Sequence, residues 1–269
     1  MIKLDDYVSG FVDDHSHFKK DSKLTDFQNY YSQNGEDGVL EKIFEKLNIN
    51  KGKFINAGAD DINDHSNVRR LISFYGWDGL FIEPNRDMLE NGRENLEKDN
   101  RVTEGEFDFH VGFLSTNRDE ERINNVLNDY YPSGTLFDFL TLHIDSYEYW
   151  VLKDFLEGEY DAKVILVGYN FSRTDEVTSP ESCDPKIGHV SITDNFYSAS
   201  APALKKLMDN YDYQLVSICT PNNLIFVKKS LNNGLFEPYE QLKKEDYYWE
   251  MDAWTRSKRK LVNDGWVVV

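Results

Sequence analysis

Several features that announce particular classes of protein are missing from this sequence. Of 269 residues only Cys183 and Cys219 are cysteines, 36 positions apart. That implies no disulfide framework, and a reducing cytosol is the expected setting. His15, His17, His65, His110 and His189 fall at no spacing that makes a metal site. No apolar run approaches the roughly 20 residues that span a bilayer, and mean hydropathy is −0.62. Met1-Ile2-Lys3-Leu4-Asp5-Asp6 lacks the basic-then-apolar layout of a signal peptide. Positive charge is scarce as well: 30 Lys and Arg stand against 48 Asp and Glu, a net charge of −18. Such a surface repels phosphate backbones and anionic lipids, so neither nucleic acid nor membrane is an expected partner. There is no internal repeat and no low-complexity tract.

What is present is a globular composition, 40% hydrophobic and 14% aromatic. The length suits one or two domains and a core that needs no metal or disulfide staple. Residues 1–30 are polar with scattered aromatics and read as an N-terminal arm. Gly35-Glu36-Asp37-Gly38 opens a helix of about ten residues through Val39, Leu40, Ile43, Phe44 and Leu47. Apolar strands and amphipathic helices then alternate. Strands are expected at 54–58, 79–83, 107–114, 137–144 and 164–167. Helices are expected around Val68–Tyr75, Met88–Leu96, Ile123–Leu127 and Tyr147–Phe155. Alternation of this kind builds βαβ units, hence a doubly wound, mostly parallel α/β sheet.

Residues 172–195 carry Ser, Thr, Asp, Pro and Gly with little apolar material, and read as a lid or mobile loop. A helix at Leu204–Met208 and strands at 213–218 and 224–227 follow. The connection through Thr220-Pro221-Asn222-Asn223 is too short for a crossover, so the last two strands pair antiparallel and complete a seven-stranded sheet. Residues 31–230 form the α/β domain, and 231–269 a helix and tail packed on it.

Ligands of open α/β sheets lie at the carboxyl ends of the strands. The first strand ends in Asn56-Ala57-Gly58-Ala59-Asp60-Asp61, where Gly58 would let backbone approach a ligand; a ligand-free tight turn reads equally well. The second ends in Glu83, 25 residues past Gly58. An acid at about that distance holds a ribose diol in dinucleotide-binding folds, although a solvated strand-end Glu fits too. The fourth ends His143-Ile144-Asp145. Two residues apart on a strand share a face, so His143 and Asp145 read as a base and its orienting acid, or as two metal ligands, or as a helix-capping Asp beside a packed His.

Five segments in order resemble the FkbM-like methyltransferases. They are Tyr31-Ser32-Gln33-Asn34-Gly35-Glu36-Asp37-Gly38, Gly76 to Pro84, Asp138 to Trp150, Tyr169-Asn170, and Phe196-Tyr197-Ser198-Ala199-Ser200. The resemblance spans about residues 30–230. It implies a Rossmann-like class I methyltransferase fold and S-adenosylmethionine as methyl donor, with Gly58 against its methionine part and Glu83 on its ribose. It implies methylation of a hydroxyl on a sugar or other small metabolite, within glycan biosynthesis or secondary metabolism. Gln33, Asn56, Asp60 and Ser115 are further candidates for holding the donor, and Tyr169 and Asn170 for the acceptor. His143 and Asp145 are the catalytic candidates.

The departures fall at strand ends. Asn56 replaces an acid, Asp61 often a Gly, His143 the first Asp of a DID triplet, Ser146 a Gly, and Gly168 a Glu. With Gly168 in place of a third ligand, a divalent metal ion is admissible but not expected. The same departures support an alternative: a catalytically inactive relative that binds a nucleoside-type ligand or a protein partner, with Tyr247, Tyr248, Trp249 and Trp254 as a contact surface. A third reading is another transferase that shares only the fold. An oligomer is compatible with the sequence.

Overall fold

A computed structural model describes residues 29–60, 62–145, 147–181, 198–247 and 266–269. Five parallel strands, β1 (Lys53–Ala57), β2 (Asp78–Glu83), β3 (Phe107–Val111), β4 (Leu136–Leu142) and β5 (Asp161–Gly168), are followed by β6 (Val177–Thr178), β7 (Tyr213–Cys219) and β8 (Asn223–Lys228). The main sheet has the order β3-β2-β1-β4-β5-β8-β7. β8 runs antiparallel to both β5 and β7. This is the expected doubly wound seven-stranded sheet of the Rossmann-like class I methyltransferase layout, closed by one antiparallel hairpin.

Alternate side chains of each strand serve opposite faces. On one face α1 (Glu36–Lys46), α2 (Arg69–Tyr75) and α3 (Arg86–Lys98) bury Leu40, Ile43, Leu71, Ile72, Leu89 and Leu96 against Phe54, Phe81, Phe139 and Val164. On the other, α4 (Ile123–Asn128), α5 (Glu148–Glu157) and α6 (Ala201–Asp209) pack on Ile55, Leu80, Leu140 and Ile165. Central strands wet on neither face need no polar alternation, which is why their sequences read as continuous apolar runs.

α3 is longer than its faint apolar period suggests, at 13 residues. The Asn85 side chain caps it by accepting from the amides of Asp87 and Met88. Exposed i,i+4 pairs such as Arg93–Glu97 add modest support. β3 is shorter than expected and stops at Val111. The expected lid also needs correction. Within it, β6 pairs antiparallel with β9 (Val267–Val268), and Val177, Thr178 and Ser179 are buried. Residues 182–195 of that segment lie outside the described residues, as do 1–28 of the expected arm and 248–265 of the expected C-terminal helix and tail. Among the described residues no helix is long and apolar enough to cross a membrane.

Candidate functional site

A cleft of about 920 Å³ opens at the carboxyl ends of β1, β2, β4 and β5, where the sheet order switches between β1 and β4. That is the upper end of the range of about 300–1,000 Å³ for small-molecule sites. Of the residues singled out from sequence, Gln33, Asn56, Gly58, Asp60, Glu83, His143, Asp145 and Tyr169 line it.

The turn after β1 folds back on β2, with the amides of Gly58 and Ala59 both donating to the Ile82 carbonyl at 3.0 and 3.2 Å. Gly58 has φ +79, and a Cβ there would stand 1.8 Å from the His143 carbonyl oxygen. Only glycine fits between the ends of β1 and β4. Glu83 closes β2 with its carboxylate held between two backbone donors. The Asp60 amide reaches Oε2 at 3.1 Å and the Asn85 amide reaches Oε1 at 2.9 Å. Each carboxylate oxygen retains acceptor capacity beside the cleft.

His143 Nε2 and Asp145 Oδ1 lie 3.3 Å apart. They do not meet because of strand alternation, as expected: β4 ends at Leu142, and Asp145 turns the chain with φ +58. The left-handed turn carries the carboxylate back to the ring. Burial disfavours the charged imidazole, but the hydrogen bond to Asp145 and the negative charges of Asp145, Glu148 and Glu36 outweigh it and push its pKa up to about 9. The shift away from the ordinary imidazole value of 6.5 favours the imidazolium at neutral pH. Glu148, the first residue of α5, is pushed up by burial and by the charge of Asp145, with His143 opposing.

Two expected ligand residues lie elsewhere. Ser115 is buried away from the cleft lining and donates its hydroxyl to Glu121 Oε2 at 2.7 Å. Asn170 is buried too, and its Oδ1 accepts from the amide and hydroxyl of Ser172. Both organise loops. Tyr169 borders the cleft, but its hydroxyl donates to the Tyr247 carbonyl at 2.9 Å. Gln33 accepts from Asn222 at 3.3 Å, which ties the lead-in of α1 to the β7–β8 turn as one wall.

Sequence reading missed Glu148 and Asn223, which also line the cleft. Glu148 carried a signal, an acid at a helix start just past a strand end; Asn223 carried none. Among the described residues no three His, Cys, Asp or Glu side chains converge as a metal site. None of the described lining residues is Lys or Arg.

No family model matches the chain, and no curated protein matches it. Solved structures similar to it include the N-terminal domain of EvdMO1 with SAH bound, at 11% identity and TM-score 0.47 over 73% of this chain and 82% of that one. The CurJ carbon methyltransferase is similar at 11% identity and TM-score 0.45, over 71% of this chain and 52% of its own, so the chain spans about half of that structure. A SAM-dependent methyltransferase from Methanosarcina mazei is similar at 11% identity and TM-score 0.43, over 69% and 96%.

Proposed function

We propose that this cleft binds S-adenosylmethionine and directs methyl transfer to a hydroxyl of a sugar or similar small metabolite, in the manner of the FkbM-like enzymes whose motifs the sequence resembles. The observation that carries the reading is the pairing of the Gly58 turn with Glu83. Bare backbone and a strand-end carboxylate held by two amides border one cleft. The residues fit such a donor: Glu83 keeps lone pairs for a ribose diol, and the acids among the described lining residues, with no Lys or Arg beside them there, suit a sulfonium cation. When bound, the donor supplies an electrophilic methyl group on cationic sulfur.

The chain's own task is then placement and proton removal. The Gly58 turn lies against the methionine part of the donor and Glu83 holds its ribose. The His143 imidazole, once neutral, takes the hydroxyl proton of the acceptor, and Asp145 orients the ring. Calorimetry with S-adenosylmethionine and with its demethylated product tests the reading. Heat with both is expected, and heat with neither removes it. A second reading, a nucleoside-binding relative without turnover, is favoured by the protonated state of His143 at neutral pH. Donor binding with no methylation of a sugar panel at either pH 7 or pH 9.5 would select it.

A further inference from the structure

One corner of the cleft is short of hydrogen-bond donors. Glu148 is 1% exposed; its Oε1 accepts from the Ile144 amide at 3.0 Å, and its Oε2 has no well-formed hydrogen bond, the Ser198 hydroxyl being the donor beside it. The nearby Ser198 hydroxyl is turned to the Gly168 carbonyl at 3.3 Å. Asn223, 3% exposed at the start of β8, gives its Nδ2 to Glu36 Oε1 at 2.7 Å and leaves Oδ1 unpartnered. Asn223 sits in register with Gly168, against which the His143 ring lies. Both unpartnered atoms are acceptors on residues that line the cleft. Buried acceptors are normally satisfied, so two at one corner point to a donor that arrives from outside.

The charges agree. Asp60, Asp64, Glu83, Asp145 and Glu148 line the cleft without a Lys or Arg among the described lining residues. A phosphate or carboxylate entering would meet only like charge, save for His143. An ammonium group offers three N–H donors on a compact cation, the chemistry that acceptors of this kind take.

We infer that this corner holds a protonated primary amine of the acceptor, which makes the substrate class amino sugars or comparable amino alcohols and excludes phosphorylated or acidic metabolites. The word acceptor rests on the methyltransferase reading; the amine site itself does not. The groups facing His143 are Asp145 beyond β4, Glu148 on α5 and Glu36 on α1, all acidic. Three carboxylates can balance two cations, so an ammonium group and the imidazolium fit there together.

The test is calorimetry on the full chain at pH 6.5 without donor. The probes are glucosamine, glucose and glucose 6-phosphate. Glucosamine should bind at least about 10-fold tighter than glucose, as expected for a charge-assisted contact. Glucose 6-phosphate should bind weakest. Glu148→Gln should abolish the preference for the amine over glucose. If that variant does not fold, Asn223→Ser reads the same corner and should reduce the preference. Equal affinity for glucosamine and glucose, heat from no probe, tighter binding of the phosphate, or an undiminished preference in the folded variant would overturn the assignment. Because no donor is present, failure here leaves the donor reading intact, and failure of donor binding leaves this result intact.

Discussion

The imidazole of His143 fills the space in which a side chain at position 168 would begin. A Cβ on Gly168 would lie 2.9 Å from its Cδ2 and 3.3 Å from its Cγ. The two departures at these positions, His for an acid and Gly for Glu, are thus one exchange of volume between neighbouring strand ends. Gly168→Ala should push the ring off Asp145. The ring can swing, so the stability cost is modest, about 1 kcal/mol, while kcat/KM should fall about 10-fold or more as the base loses its orientation. The double exchange His143→Asp with Gly168→Glu should be less destabilising than the sum of the single changes, by about 0.5–3 kcal/mol. A urea-denaturation cycle measures this, and strict additivity would show that the positions are independent.

The raised pKa of His143 fixes the pH behaviour. Its value rises from 6.5 in an unperturbed imidazole to about 9 in the fold. Protonation therefore favours the folded state fully below about pH 6.5, and that contribution is lost as pH rises through about 9. The melting temperature should decline across this window, and His143→Asn should flatten the decline. Activity should move the other way, with kcat/KM rising through a midpoint near pH 9 and levelling off above it as the free imidazole appears. A profile already flat above pH 6 would remove His143 as the base.

Glu83 separates a binding role from a structural one. Glu83→Gln keeps an acceptor oxygen for one backbone amide and should weaken the donor about 10- to 150-fold, the equivalent of one charge-assisted hydrogen bond. Glu83→Ala should weaken it at least as much and also lower the melting temperature, because the amides of Asp60 and Asn85 lose their partner. Unchanged donor affinity in the Gln variant would place the ribose elsewhere.

Gly58→Ala should be far more harmful than an alanine elsewhere in a turn. Its φ is +79 and its Cβ meets backbone, the His143 carbonyl, which cannot swing away. A loss of about 3 kcal/mol or more is expected, read by chemical denaturation. A melting curve like that of the parent would mean that the turn relaxes freely.

Ser115→Ala should leave donor affinity unchanged while costing about 1 kcal/mol of stability, since its hydroxyl serves Glu121 rather than the cleft. A fall in donor affinity without a fall in stability would restore Ser115 to the site.

The sheet was legible because buried parallel strands such as Val164–Val167 have no other way to be written. The place of Gly58 and Glu83 on the cleft was legible because clefts of open sheets lie at strand ends. β6 was not, because a two-residue strand paired with Val267–Val268 leaves no period to detect. Asn170 and Ser115 were misassigned because a polar residue that organises its own loop has the same composition signal as one that faces a ligand. The pairing of His143 with Asp145 was read correctly for the wrong reason. Alternation was assumed, whereas a left-handed residue made the contact. Glu148 and Asn223 are separated by 75 positions, 223 − 148, and no spacing rule joins them.

Four residues around the cleft, Asp60, His65, Asp145 and Ser198, hold φ between +50 and +59 although none is glycine. Each such residue carries a penalty of order 1–3 kcal/mol that a glycine would relieve. A laboratory selection for heat resistance alone should therefore turn these four positions to glycine early, and a lineage with no further use for the cleft would drift the same way. That the chain still bears two acids, an imidazole and a hydroxyl there weighs against an inert relic. It also warns that the most thermostable variants of this protein will be poor guides to what it binds.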